Sequence, residues 1–160
     1  MKLRRFLVRG LVVMIIVALL AVAGGVFYFN RYLPNTGAAR SFPQVGGQIQ
    51  VSGLDAPVDL YRDQMGIPHI YASNLSDLFF AQGYVHAQDR FWQMDVWRHI
   101  GSGRLSEMFG SGQVETDAFL RTLGWKQTAE AEWDHLGPDS RAMLEAYSAG
   151  VNAYLKDHSG

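Results

Sequence analysis

The sequence predicts an α+β protein, mostly helical with a few strands, set behind one N-terminal transmembrane helix. Three observations carry this. Residues 10–29, GLVVMIIVALLAVAGGVFYF, run twenty positions without a charge. Two short extended runs, 58–62 and 67–71, flank the turn Asp63-Gln64-Met65-Gly66. From Leu75 onward apolar residues recur at steps of three and four rather than two, the period of a helix.

Residues 1–9, MKLRRFLVR, form a basic leader. The next twenty residues rise about 30 Å as a helix, the hydrocarbon thickness of a bilayer. Lys2, Arg4, Arg5 and Arg9 precede the run and Arg31 comes after it. That bias puts the N-terminus in the cytoplasm and the remainder outside. A cleavable signal peptide is the competing reading, because Ala21-Val22-Ala23 is an A-x-A site. Cleavage there would release a protein into the periplasm or medium; without it the chain stays in the membrane as a single-pass protein. Both readings export the remaining residues.

Residues 30–47 read as a linker, punctuated by Pro34, Gly37, Pro43, Gly46 and Gly47. Residues 48–160 form the exported domain. Gln48-Ile49-Gln50-Val51-Ser52 alternates polar and apolar and predicts a half-buried strand. The hairpin comes next, and Gly66 supplies the positive φ its turn needs. Pro68 cannot donate to a ladder, so its strand lies at an edge or begins there. The domain therefore opens with about three strands.

Ser73 or Asn74 is the expected N-cap of the next helix, with Asp77 placed to favour its positive end. Phe80, Tyr84, Ala87, Phe91 and Met94 make one apolar row, and Leu75, Leu78, Phe79, Val85, Trp92 and Val96 a second. Two rows call for partners on more than one side. Gly101-Ser102-Gly103 ends this helix, and Arg104 to Phe109 forms a short helical turn closed by Gly110. A further helix starts at Thr116 or Asp117 and runs to Leu136, weakened inside by Gly124. Gly137-Pro138-Asp139 opens the last helix, striped by Met143, Tyr147, Val151 and Tyr154.

Charge divides along the chain. All fifteen acids lie after residue 34 with nine of the fourteen basic residues, so residues 34–160 carry a net charge of −6 with His neutral. Such a domain lacks the basic footprint of nucleic-acid binding. The absence of cysteine excludes disulfides, thiolate metal sites and a Cys nucleophile within these residues.

Several residues invite a chemical reading. His86 and Asp89 stand one turn apart and would offer two metal ligands or a base with its orienter, but no third ligand stands at a fitting spacing. A structural pair is the simpler reading. Asp89 and Arg90, inside an aromatic helix, need partners, and Arg62, Arg98 or Arg104 would answer Asp89. Asp95 and Glu107 form a carboxylate pair only if folding brings them together. The glycines of Gly101-Ser102-Gly103-Arg104 and Gly110-Ser111-Gly112 lead into no G-K-[ST] step, so both read as turns rather than phosphate loops. No G-x-S-x-G elbow marks a nucleophile. From the residues alone no catalytic, cofactor-binding or metal-binding position is assigned.

The ordered set Arg62-Asp63…Gly66-Ile67-Pro68-His69-Ile70-Tyr71-Ala72, Gly83-Tyr84-Val85…Ala87-Gln88-Asp89-Arg90-Phe91…Gln93-Met94 and Gly103-Arg104-Leu105-Ser106-Glu107…Gly110 resembles the opening of the penicillin acylase (penicillin amidase) family. Asp117, Arg121, Leu123-Gly124, Ala146-Tyr147 and Gly150-Val151-Asn152-Ala153 continue the likeness, which covers about residues 50–157.

That resemblance implies an N-terminal-nucleophile amidohydrolase of αββα architecture, made as one precursor that cuts itself into interlocked α and β chains. A Ser freed at the β chain's N-terminus attacks the amide carbonyl, with its own α-amine as base, a group that titrates near neutrality. An Asn and backbone N–H groups hold the oxyanion. The implied substrates are small acyl amides of β-lactam side-chain or acyl-homoserine-lactone type, and the implied partner is the β-chain portion of the same precursor. Many members hold a structural calcium, which the resemblance implies for the complete enzyme. It further implies that these 160 residues belong to the α portion, with nucleophile, oxyanion Asn and calcium ligands in later sequence. A membrane-tethered, non-catalytic binding or assembly module derived from the family, and a separately encoded β chain, remain the alternatives.

Overall fold

The computed structural model describes residues 2–33 and 42–158, which divide into two units, Met1–Pro43 and Gln44–Gly160. The described residues of the first hold one helix, α1 (Lys2–Phe27), which widens into a π-helical turn at Tyr28–Tyr32. Over Arg9–Tyr32, 24 residues, its most apolar stretch has a mean hydropathy of 2.8 and none of it is buried. It is long and apolar enough to cross a membrane, a description that a signal sequence also meets. The helical segment reaches Leu33, four residues into the stretch read as linker; residues 34–41 of that stretch lie outside the described residues.

In the second unit, β1 (Asp59–Arg62) and β2 (Pro68–Tyr71) form an antiparallel hairpin with Leu60 opposite Ile70 and Arg62 opposite Pro68. Asp63 builds the turn. Its Oδ1 accepts from the backbone N–H groups of Met65 and Ile67, both at 2.9 Å, and Gly66 takes φ +78°. Helix α2 (Leu75–Ser102) starts at Asn74, whose side chain accepts from the Asp77 N–H at 2.8 Å. It then runs 28 residues with one non-helical position, Arg90, at φ −144° and ψ 23°. Neither proline nor glycine stands at this kink; it comes directly after Asp89, which the hairpin grips.

After α2 come α3 (Leu105–Phe109), a 3₁₀ turn at Ser111–Gln113, α4 (Val114–Leu123), α5 (Trp125–Trp133) and α6 (Pro138–His158). The main packing joins α2 to α6. At their crossing the backbones touch. A Cβ at Gly83 would collide with the Tyr147 carbonyl, and one at Gly150 with the Phe80 carbonyl. Tyr84 and Tyr154 meet edge to face beside this crossing, with centroids 5.5 Å apart. Phe80, Tyr84, Val85, Ala87 and Leu120 are the buried apolar core.

Two expectations fail. Gln48–Ser52 forms no strand, so the domain opens with two strands rather than three. Alternation describes a strand's faces but provides no neighbour to bond with, and here β1 pairs only with β2. The single helix expected from Thr116 or Asp117 to Leu136 begins at Val114 and is two helices. Gly124 adopts φ +73° and closes α4, and α5 starts anew beyond it. The two rows of α2 do call for more partners than the described residues supply: in the second row Val85 is buried, but Leu75 and Trp92 keep 57% and 66% of their surface in solvent.

Candidate functional site

A groove of about 630 Å³ runs between residues 44–62 and the first half of α2. Ile49, Leu60, Phe80 and Val85 give it an apolar wall, and Arg62, Tyr84 and Gln88 its polar groups. The hairpin register sets Arg62 at the end of β1, from where it reaches α2. Its Nη1 and Nη2 donate to Asp89 Oδ2 and Oδ1, both at 2.9 Å, and Nη2 also donates to Gln88 Oε1 at 3.0 Å. Nη1 additionally donates to the Gly66 carbonyl at 3.2 Å, so one guanidinium ties turn, strand and helix together. The Arg62 and Asp89 side chains retain 11% and 24% of their exposure. Arg62 Nε is buried with no acceptor among the described residues.

Two buried carboxylates act as backbone caps. Asp77 accepts from the Asp55 N–H at 2.8 Å, the Ala56 N–H at 3.0 Å and Asn74 Nδ2 at 2.6 Å, fastening the turn before β1 to the start of α2. The Asp55 hydrogen bond, with those from Asn74 and Ala56, holds its pKa below the usual carboxylate value against the opposing effect of burial. Asp117 does the same for α3, accepting from the N–H groups of Leu105 at 2.7 Å and Ser106 at 2.8 Å. Burial pushes its pKa up, but the hydrogen bonds from Ser106 and Leu105 and the nearby Arg121 outweigh this and leave it lowered.

A second polar corner lies where α2, α3 and α4 meet. His99, buried, has Nδ1 2.8 Å from the Asp95 carbonyl. A carbonyl only accepts, which assigns the proton to Nδ1. Nε2 stands 4.0 Å from Glu107 Oε2. Asp95 is held by Arg98 at 2.7 Å and Glu107 by Arg104 at 2.5 Å. The Arg104 hydrogen bond lowers the pKa of Glu107.

Each sequence candidate has a definite place in the structure. His86 and Asp89 do not work together: His86 Nδ1 lies 3.0 Å from Tyr147 Oη on α6, while Asp89 faces Arg62. Of the three arginines offered to Asp89, Arg62 is its partner, and Arg90 is exposed at the kink. Asp95 and Glu107 flank the same histidine, and each is paired with its own arginine. Gly103 closes α2 and Gly110 closes α3, so both glycine-rich stretches are helix ends. Among the described residues no three His, Asp or Glu side chains gather as a metal site. Asp77 and Asp117 turn their carboxylate oxygens to backbone and side-chain N–H donors. The capping roles of Asp77 and Asp117 were not legible from the residues around them, because the groups they cap lie up to 22 residues away.

The family model described as penicillin amidase matches residues 57–160. The penicillin acylase 2 proenzyme of Pseudomonas sp. (strain SE83) is 43% identical over 115 residues, 72% of this chain and 15% of that protein. The acyl-homoserine lactone acylase QuiP of Pseudomonas aeruginosa is 36% identical over 148 residues, 79% of this chain and 18% of that protein. Among solved structures, a thermostable penicillin G acylase from Alcaligenes faecalis aligns with a TM-score of 0.58 at 31% identity, over 63% of this chain and 54% of that one. The chain thus spans less than a fifth of the length of these curated relatives.

Proposed function

Because the chain belongs to the penicillin amidase family, we propose that it is the N-terminal scaffold of an acyl-amide hydrolase whose reactive groups lie in later sequence. The observation that carries this is the penicillin amidase match over residues 57–160, a stretch that answers to less than a fifth of the curated relatives' length. Curated relatives are acylases of penicillins and of acyl-homoserine lactones, and one is a proenzyme. We therefore assign this chain's complete protein to amides of that small-molecule class. In the proposed reaction a Ser hydroxyl adds to the amide carbonyl and its α-amine takes the proton. The amine leaves, and water then splits the acyl ester to a carboxylic acid.

The part played by this chain is positional. Arg62, Asp77 and Asp117 lock hairpin, helix and corner into one frame, on which the remaining polypeptide packs. Exposed aromatics support that reading: Tyr61, Tyr71, Trp92, Trp97, Phe109, Phe119 and Trp125 each keep more than half of their surface in solvent. We place this frame outside the cytoplasm, beyond the apolar N-terminal helix.

The test is to express the complete reading frame that contains this chain and assay amine release from benzylpenicillin and from acyl-homoserine lactones. Hydrolysis of either, with a new chain beginning at Ser, is the expected result. An intact, unprocessed product that hydrolyses neither would overturn the reading.

A further inference from the structure

We propose that α1 is kept as a permanent membrane anchor and that the A-x-A sequence within it is not cut. The depth of that sequence in a bilayer decides the matter, whichever amide the protein hydrolyses. Helix α1 passes through Ala21-Val22-Ala23 without interruption, and no proline stands before the site to open it. A bond must be presented in extended form to enter a protease cleft, and this one lies inside an unbroken hydrogen-bonded helix. From Gly10 to Ala23 the helix rises about 21 Å. Six further uncharged residues, Gly24 to Phe29, come before Asn30. In a hydrocarbon layer about 30 Å thick the bond after Ala23 therefore sits about 9 Å below the outer surface.

The outer end is built for the water–lipid boundary. The π-helical turn groups Tyr28, Phe29 and Tyr32, with Tyr28 and Tyr32 stacked at 5.4 Å and Tyr28 against Phe29 edge to face at 5.6 Å. Aromatic rings of this kind settle at the headgroup level, with Arg31 beside them. Were the chain cut after Ala23, Val26, Phe27, Tyr28 and Phe29 would head a protein free in water. Each is 46% exposed or more. A bilayer is the occupant whose thickness and chemistry fit this surface.

The experiment uses the full chain with an alkaline phosphatase fused to its C-terminus, produced in a Gram-negative host. Expected are phosphatase activity in intact cells, resistance to alkaline carbonate but extraction by mild detergent, and an intact mass beginning at Met1. A companion variant, Leu19→Pro, breaks the helix five residues before the bond and is expected to shift product to a species beginning at Gly24. A wild-type product beginning at Gly24, release by carbonate, or a silent phosphatase would each overturn the proposal. So would a Leu19→Pro chain that stays uncut while being exported.

Discussion

The two halves of α2, on either side of Arg90, are in opposite circumstances. Before the kink the helix is finished by its own chain: Asp77, Phe80, Gly83, Tyr84, Val85 and Ala87 are buried, in a stretch that packs on α6, the hairpin and the turn before it. After it only His99 is buried, while Trp92 and Trp97 keep 66% and 63% of their surface in water. The same helix thus ends as a self-sufficient core at one end and an uncovered aromatic face at the other. Stability and association are therefore separated along its length: changes in the first half should unfold the domain, and changes in the second should alter what it binds.

The largest difference is expected at the helix crossing. Gly150→Val drives a branched side chain into the Phe80 carbonyl and should cost about 3 kcal/mol or more, read by denaturant unfolding of the detergent-solubilised chain. Gly101→Ala, in the second half, meets no atom within 4 Å and should stabilise the helix by up to about 1 kcal/mol. Equal effects at the two glycines would erase the distinction.

Arg62→Ala comes next. It leaves Asp89 half-buried without its fork, and a loss of about 3 kcal/mol is expected, with Arg62→Lys recovering only part because one ammonium nitrogen cannot reproduce the planar fork that reaches Asp89, Gln88 and Gly66 together. Acid probes the buried caps in turn. The pKa values of Asp77 and Asp117 are lowered in the fold from an ordinary 3.8. Their stabilisation is therefore complete above that value and is lost as pH falls through the lower folded values. The thermal midpoint should hold near neutrality and drop below about pH 4, and the Asp77→Asn, Asp117→Asn double variant should start lower and fall less on acidification.

The smallest effect on stability belongs to the second half. Trp92→Ser, removing a ring that meets Phe109 with centroids 6.2 Å apart, should change the chain's own stability by no more than about 0.5 kcal/mol. Its expected consequence is weaker assembly with the downstream polypeptide, measured by co-purification of the two portions. Unchanged recovery would remove that face from the interface.

Legibility in the sequence was local. The turn at Asp63–Gly66, the cap at Asn74, the stop at Gly110 and the start at Pro138 each arise from a few neighbouring residues, and each stands where its chemistry puts it. Features that stayed hidden depended on distant partners. Gln48–Ser52 has the alternation of a strand but no neighbour, and nothing near Asp77 or Asp117 announces the backbone groups they hold. Gly124 was legible as a weak point of a helix, but whether it bends or divides one depends on how α4 and α5 pack. The ordered motifs pointed to the family, while the meaning of Gly83 and Gly150 within them appeared only when α2 met α6.

On this reading the chain frames an amide hydrolase without supplying its reactive groups. The decisive assay is amine release from benzylpenicillin by the purified 160-residue chain, alone and after co-expression with the downstream polypeptide. No turnover alone and hydrolysis once the two are combined is the expected outcome; steady turnover by the chain alone would refute it.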